Sequence, residues 1–146
     1  MKINQLSVFL ENKPGALSAP CRLLAEAKIN IQTFALADTR EFGILRVVVK
    51  DWEKAKQVLD QSGFAVKVTE VLALEVDDQP GGLARILEVL EKAKVNLEYT
   101  YAFTVKHRGK GLLVFRFSDT DLAMRALKEA RVNVLDSSEL FNLLGD

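Results

Sequence analysis

Residues Glu11–Thr33 read ENKPGALSAPCRLLAEAKINIQT, and residues Asp77–Tyr99 read DDQPGGLARILEVLEKAKVNLEY. The two stretches align without a gap, with identities at Pro14/Pro80, Gly15/Gly81, Leu17/Leu83, Leu24/Leu90, Ala27/Ala93, Lys28/Lys94 and Asn30/Asn96. An internal repeat sets the architecture before any single element is assigned. The repeated unit is a turn of the form (Asn/Asp)-x-Pro-Gly, then a helix, then a strand that opens near Asn. No nucleophile or metal cluster repeats with it.

Outward from this core, Ile3–Leu10 alternates, with Leu6, Val8 and Leu10 on one face, as a strand does. Leu17, Cys21, Leu24 and Ala27 then follow helical spacing. Pro20 is tolerated only in a helix's first turn, so with Ser18 as N-cap this helix should start late or distorted. Ile29–Ala37 and Gly43–Lys50 read as strands. Asp51 should cap a helix with Trp52, Ala55, Val58 and Leu59 on its apolar face, stopped by Gly63 before a strand at Ala65–Val68. That order is β-α-β-β-α-β, the ferredoxin-like split βαβ.

The second copy repeats the order. Val71–Val76 is a strand, Leu83–Lys94 a helix, Val95–Val105 a strand, Lys106–Lys110 a hairpin loop, Gly111–Ser118 a strand, Asp119–Ala130 a helix and Val132–Leu135 a strand. The hairpin carries two extra residues, so Gly43 matches Gly111 and Asp51 matches Asp119. By the same register Glu139–Leu144 aligns with Val71–Val76, which predicts an extra carboxy-terminal strand at 139–144. The expected class is α+β, with two units at 1–69 and 70–146 packed side by side, antiparallel sheets and helices on one face. Units of about 70 residues bury only about 60% of their unfolded surface and gain from pairing.

Bulk properties narrow the function. The 146 residues carry 20 basic and 20 acidic side chains. Ten basic stand against eight acidic residues in 1–70, and ten against twelve in 71–146. Nothing in this balance suggests a nucleic-acid partner. The single cysteine, Cys21, excludes an internal disulfide and fits a reducing compartment. No apolar run approaches a membrane span and no signal-peptide pattern opens the chain, so the expected location is cytoplasmic.

The turn is where chemistry can occur. Gly15 and Gly81 let the backbone approach a ligand, and the amides of Gly15–Leu17 and Gly81–Leu83 lie at a helix N-terminus, which favours an anion such as an α-carboxylate. Asn12 or Asp78 could accept hydrogen bonds from an α-ammonium. The alternative is an ordinary strand-to-helix turn, with Asn12 and Asp78 bonded to their own backbone. Asn30 and Asn96 should face the same pocket if the second strand starts beside the turn; the alternative is a helix-stop residue in left-handed geometry.

The combination of (Asn/Asp)-x-Pro-Gly-x-Leu with a later (Ile/Val)-Asn-(Ile/Leu), in FLENKPGAL…AKINIQ and EVDDQPGGL…AKVNLE, resembles the ACT domain twice over. The resemblance implies a non-catalytic regulatory module that binds a small molecule, chiefly an amino acid, where the turn of one domain meets the second strand of a paired one. It places ligand contacts at Asn12, Pro14, Gly15, Ala16, Leu17 and Asn30, and at Asp78, Pro80, Gly81, Gly82, Leu83 and Asn96. It implies no cofactor, a homodimer, and a partner enzyme or regulator of amino-acid metabolism. Some serine-sensing members carry His two residues before the Asn/Asp; Leu10 and Val76 stand there, which argues against a serine-type site. Phe34 against Thr100 and Ala35 against Tyr101 predict two unequal sites.

Other candidates are weaker. His107 in KHRGKG reads as a solvated turn, Cys21 as core filler, and Tyr99 and Tyr101 as rings sharing one strand face. Asp77/Asp78 and Asp119/Asp121 lack the further oxygens of a metal site. Acylphosphatase-type catalysis would need an arginine in the first loop, and neither Lys13-Pro14-Gly15 nor Gln79-Pro80-Gly81 supplies one. The alternative function is a structural module that oligomerises through its sheets and binds no ligand.

Overall fold

The computed structural model describes residues 1–38 and 40–145. Two compact units emerge: Asn4–Thr69, here the amino-terminal unit, and Met1–Ile3 with Glu70–Asp146, the carboxy-terminal unit. The elements are β1 (Ile3–Glu11), α1 (Ser18–Glu26), β2 (Thr33–Asp38), β3 (Phe42–Val48), α2 (Trp52–Gln61), β4 (Ala65–Asp77), α3 (Gly82–Lys92), β5 (Leu97–His107), β6 (Lys110–Phe117), α4 (Thr120–Glu129), β7 (Val134–Leu135) and α5 (Ser137–Leu144). Strand order is β4-β1-β3-β2 in the amino-terminal unit and β7-β4-β6-β5 in the carboxy-terminal one. This is the α+β split βαβ arrangement read from the repeat.

The register places one alternating set of each sheet against the helices. Leu6 faces Val47 and Val8 faces Leu45 across β1 and β3, and all four are buried with Leu24, Ala55 and Leu59. In the second unit Leu72 faces Phe115 and Leu74 faces Leu113, over Ile86, Leu90, Ala123 and Leu127. Asp51 caps α2 by accepting from the Lys54 N–H at 3.3 Å, and Asp119 caps α4 by accepting from the Leu122 N–H at 3.1 Å.

One backbone device ends α1, α2, α3 and α4. The amides of Ile29, Phe64, Val95 and Val132 each donate to the carbonyl of a leucine five residues earlier: Leu24, Leu59, Leu90 and Leu127, at 2.9–3.1 Å. The residue between, Lys28, Gly63, Lys94 or Arg131, takes φ of +59, +86, +58 or +61°. This is the Schellman motif, with its apolar contact between the residue after the cap and the leucine one turn back. Left-handed geometry therefore falls on Lys28 and Lys94, two residues before Asn30 and Asn96.

Several sequence expectations change. Ala65–Val68 and Val71–Val76 are one strand, β4, because KVTEV holds no turn residue to separate them. β2 begins at Thr33 and β5 at Leu97, later than read, because the Schellman turns consume the residues before them. Leu17 rather than Ser18 precedes α1, and the Ser18 hydroxyl donates to the Gly15 carbonyl. The Lys106–Lys110 loop shrinks to a two-residue turn, Arg108-Gly109, both at positive φ as a type I′ hairpin requires.

The predicted strand at 139–144 is the helix α5. Asp136 accepts from the Glu139 N–H at 2.8 Å, and Gly145 closes the far end at φ +76°. Leu140 and Phe141 are buried, and Leu144 follows Leu140 by four residues, so the apolar spacing is helical. Alignment to the first strand of a repeat could not register these two caps.

The entry to α3 differs from that to α1. A Cβ at Gly82 would overlap the carbonyl oxygen of Asp77 and lie 2.9 Å from its carbonyl carbon, so only glycine lets the helix begin here. The first copy has Ala16 at this place. There Ala19 N–H still reaches Gly15, but Pro20 has no N–H to give Ala16, and the regular helix begins at Ser18.

Three outcomes are expected. Gly82→Ala should lower stability in chemical denaturation by about 1–3 kcal/mol despite alanine's better helix propensity. At the exposed left-handed position, Lys94→Val should cost about 1 kcal/mol while Lys94→Asn changes little. The backbone N–H of Glu139 holds the Asp136 carboxyl below its usual value, whereas the hydrogen bond between the Glu139 and Asp136 side chains raises that of Glu139. The Asp136 contribution is present above the unfolded carboxylate pKa and is lost as pH falls through the lowered folded value. Asp136→Ala should therefore lower the Tm at neutral pH, and the gap to wild type should close in acid.

Candidate functional site

Both (Asn/Asp)-x-Pro-Gly turns are built alike. Gly15 has φ +84° and Gly81 φ +87°, and beside each the space a side chain would take is open. The first fact favours glycine; the second leaves the backbone bare to a ligand. Ala16 N–H donates to the Lys13 carbonyl at 3.2 Å and Gly82 N–H to the Gln79 carbonyl at 3.0 Å, closing the turns. Two amides expected to hold a carboxylate are thus already used, so the next in line are those of Leu17 and Leu83.

Asn12 and Asp78 anchor each turn to the neighbouring hairpin. Asn12 N–H donates to the Glu41 carbonyl at 2.8 Å, and Asp78 N–H to the equivalent Gly109 carbonyl at 3.4 Å. The Asn12 side-chain amide also donates to the Arg40 carbonyl at 3.4 Å, whereas Asp78 carries an ion pair with Lys106. The basic hairpin thus packs its lysines against the acidic turn, with Lys110 Nζ 3.7 Å from Asp77 Oδ1.

Asn30 and Asn96 are exposed and follow the carboxyl ends of α1 and α3, whereas the turns precede the amino ends. α1 is nine residues long, or about 14 Å at 1.5 Å per residue. Within one unit, then, the start of the second strand does not lie beside the turn. The expectation failed because an α-helix returns the chain to the far end of the sheet.

Clefts flank the turns. In the amino-terminal unit a cleft of about 550 Å³ is lined by Pro14, Gly15 and Ala16 of the turn, by Phe9 and Glu11 of β1, and by Gly63–Ala65 before and at the start of β4. In the carboxy-terminal unit one of about 480 Å³ opens between Asp78–Pro80, Leu83 and the β6 residues Gly111 and Leu113. A smaller one, about 170 Å³, lies on the other side between Gly82, Arg85 and Arg131–Asn133. The clefts around α2 and α4 carried no sequence signal, because they join turns about 50 residues apart.

The remaining candidates are structural. Cys21 is partly buried against the first core, and desolvation raises its thiol pKa, which disfavours the reactive thiolate. Tyr99 and Tyr101 stack with ring centroids 6.4 Å apart. His107 ends β5 opposite Lys110. Among the described residues no group of three or more His, Cys, Asp or Glu side chains could hold a metal ion, and no helix is long and apolar enough to cross a membrane.

Comparison with known proteins gives this geometry a family. The chain is similar to the crystal structure of protein BT0572 from Bacteroides thetaiotaomicron, at 38% identity and a TM-score of 0.90, covering 97% of this chain and 96% of that one. The regulatory subunit of aspartate kinase from Thermus thermophilus, in its ligand-free form, shares the fold, with a TM-score of 0.62 at 14% identity over 87% of this chain and 91% of that one. A curated relative, the acetolactate synthase small subunit of Buchnera aphidicola subsp. Baizongia pistaciae, is 32% identical over 81 residues, 54% of this chain and 50% of its own. The match thus spans about half the length of that relative. Over residues 1–144 the sequence matches the ACT domain pair, and the chain belongs to that family.

Proposed function

We propose that the protein is a non-catalytic regulatory module that binds an amino acid at its Pro-Gly turns and signals to an enzyme or regulator of amino-acid metabolism. The observation that carries this reading is the duplicated turn, with Gly15 and Gly81 left-handed and open on the side-chain face. A ligand carboxylate would meet the Leu17 or Leu83 amide at the positive end of a helix. Asn12, Pro14, Ala16, Asp78, Pro80 and Gly82 shape the turns. Asn30 and Asn96 would act from a paired domain, as in a homodimer in the cytoplasm. The curated relative's name, a synthase small subunit, supports a partner enzyme.

A second reading, an interaction module that oligomerises without a ligand, is favoured by one observation. β2 is an edge strand, and its Phe34 and Leu36 are 57% and 49% exposed. Exposed apolar edges pair readily.

A thermal-shift screen of the ligand-free protein against the twenty amino acids separates the two. Ligand at about 100 times its Kd stabilises by about 2.7 kcal/mol, a rise of several degrees for a chain of this size. A selective rise that Asn12→Ala or Gly81→Val reduces supports the sensor. A flat screen from a protein that oligomerises supports the interaction module.

A further inference from the structure

We infer that the two copies have diverged at one equivalent cleft: in the amino-terminal unit it takes an amino acid with an apolar side chain, while in the carboxy-terminal unit the protein's own charges fill it. The inference rests on the amino-acid-binding reading and specifies which site and which side-chain class. The cleft beside α2 and the small one beside α4 occupy matching positions of the repeat, between the start of the first helix and the chain leaving the second. Their walls differ at four matched places: Phe9 against Glu75, Ala19 against Arg85, Gly63 against Arg131, and Ala65 against Asn133.

In the second copy three of these side chains are held by polar partners. Arg85 Nη1 lies 3.2 Å from Asp77 Oδ2, and Asn133 Nδ2 donates to Glu75 Oε1 at 2.6 Å. The remaining space is about 170 Å³. In the first copy the matching positions are apolar or lack a side chain, and about 550 Å³ stays open beside Leu10, Pro14, Ala19 and Phe64. A volume of that order is typical of small-molecule sites.

The occupant's charge is also written at this cleft. Glu11 Oε2 and Lys13 Nζ line it 3.0 Å apart, with both side chains about two-thirds exposed. A zwitterion can replace this pair with two, its carboxylate on Lys13 beside the helix end proposed to hold it and its ammonium on Glu11, while its side chain lies on the apolar wall. The second copy keeps the acid, Asp77, but has Gln79 in place of Lys13. It therefore has no cation at the Lys13 place, and Arg85, Lys110 and Arg131 crowd its cleft instead.

Isothermal titration of the full chain with L-leucine, L-phenylalanine and L-serine tests this, with the wider amino-acid screen beside it. Leucine or phenylalanine should bind more tightly than serine. Ala19→Arg and Phe9→Glu, which install the second copy's residues, should each weaken that binding at least ~10-fold, whereas Asn133→Ala, in the second copy's cleft, changes it less than about threefold. Should Ala19→Arg not fold, Phe9→Glu, at a half-exposed position, decides. Wild-type affinity in the folded variants, or a preference for serine, overturns the inference and leaves the amino-acid reading standing. Failure of all twenty amino acids to bind overturns both.

Discussion

Each of the helices α1–α4 must be stopped, satisfied and turned back onto its sheet within three residues, and the hydrogen bond from an apolar residue's amide to a buried leucine carbonyl does all three. Leu24, Leu59, Leu90 and Leu127 are at most 2% exposed. Each side chain holds the core while its carbonyl accepts the bond that ends the helix. The apolar residue that donates, Ile29, Phe64, Val95 or Val132, leads the chain toward the next strand. Packing and backbone satisfaction thus share the same residues. Shifting one by a single position would break both.

The βαββαβ order was legible because it rests on period-2 and helical spacing repeated at fixed distance. The α2 and α4 caps were legible because Asp51 and Asp119 stand directly before periodic segments. Strand starts were misread because L-x-x-x-(Lys/Gly/Arg)-apolar, present four times, is a backbone signal that side-chain periodicity does not show. With glycine at only one of the four, the left-handed position was sought at Asn30 and Asn96 instead. The α5 helix was lost to alignment, though Asp136, Glu139 and Gly145 spell out its two ends.

At the site, the glycines were legible and their reasons were not. Gly15 and Gly81 are favoured by backbone angle, and Gly82 is required by the approach of Asp77. Only coordinates separate these causes, since one lies in the residue itself and the other in the residue facing it. Asn12 and Asp78 proved to be partly structural, tying each turn to its hairpin. The pairing of the first-helix turn with the chain leaving α2 or α4 joins distant segments, so no local pattern could announce the clefts.

The residues at the left-handed helix ends carry a consequence in electrostatic terms. Lys28, Lys94 and Arg131 hold a conformation that costs L-residues roughly 1–2 kcal/mol. A cation beside the negative end of a helix returns about 0.3–1 kcal/mol. Avoiding glycine spares a further 0.5–1 kcal/mol or so of unfolded-chain entropy. The opposing contributions are of similar size, so three strained backbones are held in place at little net cost. Only the dipole contribution is screened by salt. Rising ionic strength therefore erodes the favourable side of that balance and leaves the strain, so these helix ends weaken as salt rises.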